Sequence, residues 1–173
     1  MNSTLTEITL KNFYLKFIYY SIATLLICVL QLSFSFLISI KGIIPDLLIL
    51  LIIWITLRNG KIAGLITAFC IGLLYDYLSL NIFGVNALTK TLVAYVTGFF
   101  YKENEFVNVV KSNKIFVIVL ISTLIHNIVY YLLMINLTES NLWNIYFKFV
   151  LGSTIYTFLF SLPSFFFRIK KFW

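Results

Sequence analysis

Long apolar runs broken by short polar joins set the rhythm of this chain. After a polar start, Met1 to Lys11 (MNSTLTEITLK), an apolar run extends from Phe13 to Ile40, interrupted only by Lys16, Gln31 and scattered Ser and Thr. Lys41-Gly42 ends it and Pro45 opens the next, suited to a first helical turn because it has no N–H to leave unpaired. Asp46 follows, where a carboxylate meets the positive end of the helix dipole. The second run closes in Arg58-Asn59-Gly60-Lys61, a compact helix–helix turn. In the third, Gly60, Gly64, Ala68, Gly72 and Asp76 recur every four residues, a row of small side chains that admits close helix packing. A short loop, Leu80 to Val85, leads to Asn86 as a cap for the fourth helix. Lys102 to Lys114 (KENEFVNVVKSNK) reads as a long polar connection, the fifth run carries His126 and Asn127, and Pro163 kinks or ends the sixth before RIKKFW.

Continuous apolar runs without strict alternation predict helices, not barrel strands. The expected helices cover 13–40, 43–57, 61–79, 86–101, 115–135 and 142–167. The first run is longer than a signal-peptide core and is followed by no small-residue cleavage site, so it reads as an uncleaved span. The fold class is an all-α polytopic membrane protein with six transmembrane helices. A cytosolic tail (residues 1–12) precedes a single transmembrane domain (13–173).

Composition agrees. Of 173 residues, 61% are hydrophobic and 11% charged, against about 25% charged in soluble domains. The net charge of +7 would raise nucleic acid as a partner in a soluble protein. Here the placement of the bases argues for membrane lipid instead. With both termini inside, Lys11, Lys16, Arg58, Lys61, Lys102, Lys111, Lys114, Arg168, Lys170 and Lys171 fall on the cytoplasmic side, 10 of the 13 bases. The positive-inside rule therefore puts both termini in the cytoplasm.

In that orientation polar groups gather toward the outer half. Asp76 lies about 22 Å up the third helix from Lys61, and Lys90 of the fourth reaches a similar depth. Lys90 can pair with Asp46 or with Asp76. Gln31, His126 and Asn127 sit at mid to outer depth on the first and fifth helices. Charges within a bilayer pair or face protein or water, so the cluster is either an ion pair with interhelical hydrogen bonds or an outward pocket for a small ligand or a partner segment. His126 is the single histidine, more suited to an interhelical hydrogen bond than to metal, and a proton relay through it would need Asp46 or Asp76 within reach. Cys28 and Cys70 lie inside apolar runs without ligand-like spacing. No catalytic, cofactor or metal signature is present.

The unit from Gly42 to Tyr101 also carries a resemblance. Pro45-Asp46 opens a helix, Arg58-Asn59-Gly60 makes a turn, then come Gly64, Gly72-Leu73-Leu74-Tyr75-Asp76 and, past a short loop, Gly84-Val85-Asn86-Ala87-Leu88. In order and spacing this resembles the bacterial rod-shape-determining MreD family, although Leu80-Asn81 stand where family members often have small residues. The resemblance implies a non-catalytic component of the elongation complex in the bacterial inner membrane. It would dock the bitopic protein MreC and link it to a RodA-type glycosyltransferase, its transpeptidase partner and, indirectly, MreB filaments. It also implies a fold similar to the substrate-binding (S) subunits of energy-coupling-factor transporters. In this reading the small-residue row and the outer polar cluster (Gln31, Asp46, Asp76, Asn86, Lys90, His126, Asn127) dock a partner's helix. The alternative is a small-solute-binding subunit of a transporter. A lipid-intermediate flippase is disfavoured by the sparse charge of the inner half.

Overall fold

The apolar runs fold into a bundle whose second helix begins inside it. The computed structural model describes residues 18–33, 37, 39–80, 82–134 and 142–169. Within them lie seven helices: α1 (Ile18–Ser33), α2 (Leu47–Asn59), α3 (Lys61–Ser79), α4 (Val85–Gly98), α5 (Phe106–Lys111), α6 (Lys114–Met134) and α7 (Leu142–Ile169). No strand occurs among the described residues, only an isolated bridge between Ile40 and Ile43. Two helices, α3 and α6, are long and apolar enough to cross a membrane by length and composition, with mean hydropathies of 1.6 and 2.1. The predicted tail at 1–12 lies outside the described residues.

The bundle buries polar side chains within an apolar core and is apolar outside. Thr56, Thr89, Lys90, Thr97, Ser122, Thr123 and Ser161 are fully buried, while Ile62, Ile66 and Phe69 of α3 and Leu151, Ile155 and Leu159 of α7 are exposed in stripes. Hydroxyls survive in such an interior because each bonds to a nearby carbonyl or across helices. Thr56 and Thr123 donate to the carbonyls of Ile52 and Val119, and Thr97 meets Ser122 at 3.1 Å between α4 and α6. A surface of this kind is matched to lipid, where helices associate through packing and hydrogen bonds.

Several boundaries differ from the expected ones. The second helix starts at Leu47 and not at residue 43, because Lys41 (φ 53°) and Gly42 (φ 82°) turn the chain and Ile40 pairs with Ile43. Pro45 therefore precedes the helix, and Asp46 is its N-cap. The fourth helix starts at Val85, one residue before Asn86, and ends at Gly98. The polar connection holds an additional short helix, α5, because Phe106, Val109 and Val110 fall on one side; Phe106 packs edge-on against Trp54, with ring centroids 6.1 Å apart. Helix α7 runs through Pro163, as the expected range 142–167 did, and reaches Ile169.

Packing centres on α3 and α4, which form the most extensive helix pair; α4 also touches α2 and α6, and α6 packs on α7. The small-residue row makes this possible. A Cβ on Gly72 would stand 2.6 Å from both Ala87 N and Asn86 O, so the α4 backbone lies directly on that glycine. Gly64 is covered by Thr56 of α2, and Ala68 is fully buried. Gly64 and Gly72 of the row thus face the chain's own α2 and α4. Gly60 forms the turn between α2 and α3 in a left-handed conformation (φ 94°) that favours glycine, with the Tyr101 ring against it.

Gly72→Ala is expected to destabilise the protein by about 1–3 kcal/mol, the usual cost of overpacking. A thermal-unfolding measurement in mild detergent should show a lowered midpoint and less monodisperse protein. Ile66→Ala, on the exposed stripe of the same helix, should leave the midpoint unchanged.

Candidate functional site

Two carboxylates, Asp76 buried and Asp46 half-buried, organise the polar groups, and each closes a helix N-terminus. The first four amides of a helix lack partners within it. Asp46 closes its own helix: Oδ1 accepts from Leu48 N (3.0 Å) and Ile49 N (3.4 Å). Asp76 closes a different one. From the last turns of α3 its Oδ2 accepts from Gly84 N (2.9 Å) and Ala87 N (3.2 Å), and its Oδ1 accepts from Asn86 N (3.1 Å) and Asn86 Nδ2 (2.8 Å). Gly84, at φ 97°, bends the loop so that these amides converge on one carboxylate. The cap expected from Asn86 is thus supplied by Asp76, and the negative charge meets the positive end of α4.

Asn86 passes the connection onward. Its Oδ1 accepts from Lys90 Nζ at 2.8 Å, and Lys90 Nζ reaches Asp46 Oδ2 at 2.7 Å. Of the two acids open to Lys90 in the sequence, Asp46 is its partner. Lys90 is 0% exposed, and its ammonium also lies 4.8 Å from the centre of the Tyr75 ring. His126 Nε2 stands 3.6 Å from the same Asp46 oxygen, so Asp46 is the acid within its reach. The imidazole stacks on Tyr130, with centroids 5.7 Å apart.

The remaining candidates tie other helices to this centre. Gln31 Oε1 accepts from Leu47 N (3.0 Å), and Gln31 Nε2 donates to the Tyr75 hydroxyl (3.3 Å), joining α1 to α2 and α3. Asn127 Nδ2 donates to Thr154 Oγ1 at 2.9 Å. Asp46 N donates to Thr157 Oγ1 at 3.1 Å. Sequence reasoning passed over this α7 contribution, although Ser153, Thr154, Thr157 and Ser161 repeat at the spacing of one helix face.

The centre lies deep. Thr157 is 15 residues into α7, about 22 Å from its start, and His126 is eight residues short of the end of α6, about 12 Å. Residues 42–46 reach this level by running along α7, where Gly42 faces Phe149 and Ile43 covers Gly152. Above the ion pair is a cavity of about 280 Å³, lined by Gln31, Asp46, Asn86, His126 and Asn127, by Tyr75, Tyr130 and Tyr131, and by the 42–45 segment. Every candidate polar residue except Asp76 and Lys90 lines it, and those two support it from behind. Among the described residues no group of three His, Cys, Asp or Glu is placed to hold a metal ion.

Removing one member of a buried ion pair costs about 3–5 kcal/mol, whereas replacing both with neutral groups is far milder. Asp46→Asn, which keeps the helix cap, and Lys90→Met should each lower the thermal midpoint strongly. The double variant should be more stable than either single variant, as read by a double-mutant cycle of unfolding midpoints in detergent.

No curated protein and no solved structure matches the chain. The family model described as rod shape-determining protein MreD matches residues 11–170, which is nearly the whole chain. The Gly72–Asp76 and Gly84–Leu88 motifs that carry the sequence resemblance are the two faces of the Asp76 cap and the Gly72 contact. The chain belongs to the MreD family of rod shape-determining membrane proteins.

Proposed function

We propose that this protein acts as a non-catalytic scaffold of the lateral cell-wall elongation complex, docking an MreC-like bitopic protein and linking it to a RodA-type glycosyltransferase and its transpeptidase partner. The family match over residues 11–170 carries this reading. It is supported by a polar interior in which the buried charges answer one another, an arrangement suited to holding a shape. Docking then falls to the outer apolar surface. A groove of about 310 Å³ between α1 and α3, lined by Tyr20, Ser21, Thr24, Ile66, Thr67 and Cys70 among others, offers small side chains to an approaching helix.

Six spans with both termini in the cytoplasm, arranged like an energy-coupling-factor S subunit, complete the proposal. The basic joins support this orientation. Arg58 lies 4.9 Å over Trp54, and Lys61 lies 4.1 Å over Tyr95 and 4.0 Å over Phe99. Bases and aromatic rings together suit a cytoplasmic membrane interface. One observation favours the second reading, a small-solute-binding subunit of a transporter: the polar cavity above Asp46.

Affinity purification from native membranes in mild detergent separates the two, with proteins identified in the eluate. The scaffold reading expects cell-wall synthesis proteins, and depletion of the protein should round rod-shaped cells. Cys70→Trp, which fills the α1–α3 groove, should reduce partner recovery at least fivefold with the unfolding midpoint unchanged. Recovery of an ATPase module in place of cell-wall proteins would overturn the scaffold reading.

A further inference from the structure

The cavity above the Asp46–Lys90 pair combines matched charge with unused hydrogen-bonding capacity. Asp46 is held by Lys90 and by the α2 amides, and Asp76, reached through Asn86, is held by the α4 amides. The remaining lining groups divide in two. Gln31 is used on both its amide atoms, Asn127 Nδ2 is bonded to Thr154, and the Tyr131 hydroxyl meets Ser153 Oγ at 2.8 Å. Among the described residues, His126 Nδ1 is buried without a hydrogen-bond partner, Asn127 Oδ1 and the Tyr130 hydroxyl have none either, and the Tyr75 hydroxyl accepts from Gln31 while its own hydrogen is uncommitted.

We propose that this cavity is a binding site for a small uncharged solute that carries both hydrogen-bond donors and acceptors. An ionised ligand would bring an unanswered charge beside a pair already neutral, and a charge without a partner is costly in a low-dielectric interior. A neutral donor meets Asn127 Oδ1, and neutral acceptors meet the Tyr75 and Tyr130 hydroxyls. The volume of about 280 Å³ lies at the lower edge of small-molecule pockets, which span roughly 300–1,000 Å³, so the solute is smaller than a typical drug. Tyrosine rings supply the apolar walls. The site concerns occupancy and not transport, so it is compatible with a scaffold as well as with a transporter subunit.

Native mass spectrometry of the full chain, purified from its own membranes into lipid nanodiscs, tests this. The wild type should carry one low-mass neutral adduct. Tyr130→Phe, which keeps the ring and removes only the hydroxyl, should lower its occupancy at least threefold. Ser153→Trp, which fills the cavity, should abolish it. Recovery of cell-wall proteins by the same variants is measured in parallel, so that loss of the adduct and loss of the scaffold role are read separately. A wild-type spectrum with lipid adducts alone overturns the proposal. So does an adduct retained equally by Tyr130→Phe and Ser153→Trp.

Discussion

A lysine with no exposed surface must be answered by an acid, and much of this structure follows from where that acid is placed. Lys90 projects from α4 into the bundle, and its partner Asp46 sits at the very start of α2. That pairing draws the beginning of α2 inward, among the middle turns of α6 and α7. The segment before it then has to descend along α7 as extended chain, with Lys41 and Gly42 in left-handed conformations to start the descent. The short length of α2, about 20 Å at 1.5 Å per residue, is a consequence of this anchoring. So is the cavity left above it.

The same logic joins α3 to α4. A carboxylate on one helix closes the N-terminus of the next, while a glycine four residues earlier lets the two backbones touch. Asp76 and Gly72 thus act as one device, with the first satisfying the α4 amides and the second allowing them near enough. Asn86 then couples this cap to the ion pair, donating to Asp76 and accepting from Lys90. Five helices, α1, α2, α3, α4 and α7, are tied to the centre by hydrogen bonds, and His126 of α6 completes the ring. In the proposed scaffold role, such an interior would hold the outer surface in a fixed form for its partners.

Periodicity and charge placement made the helices and their order legible, together with the gathering of Gln31, Asp46, Lys90, His126 and Asn127. What they left open depended on distance in three dimensions. Both acids lay within reach of Lys90 in sequence terms, and only the Asp76 cap on α4 decides between them. The glycine row was legible as a packing face, but Thr56 of α2 and the α4 backbone were not legible as its occupants, since hydropathy alone does not separate a neighbour in the chain from another protein. Pro45 misled because Asp46, the stronger cap, starts the helix at Leu47, two residues beyond the proline. Helix α5 was hidden by the charged residues that flank Phe106, Val109 and Val110. The α7 hydroxyls were visible as a stripe, yet no single one of them carries a signal.

The Lys90–Asp46 pair holds the 42–46 segment against α7. Disulfide trapping in native membranes tests it most directly, using Ile43→Cys with Gly152→Cys in a chain whose Cys28 and Cys70 are replaced by alanine. The Ile43 side chain lies directly over Gly152, its Cγ1 and Cγ2 3.4 and 3.7 Å from where a Gly152 Cβ would stand, so cysteines at the two positions face each other. Mild oxidation should crosslink the pair rapidly, and adding Lys90→Met should slow the crosslink at least tenfold. An equal rate with and without Lys90 would contradict the claim.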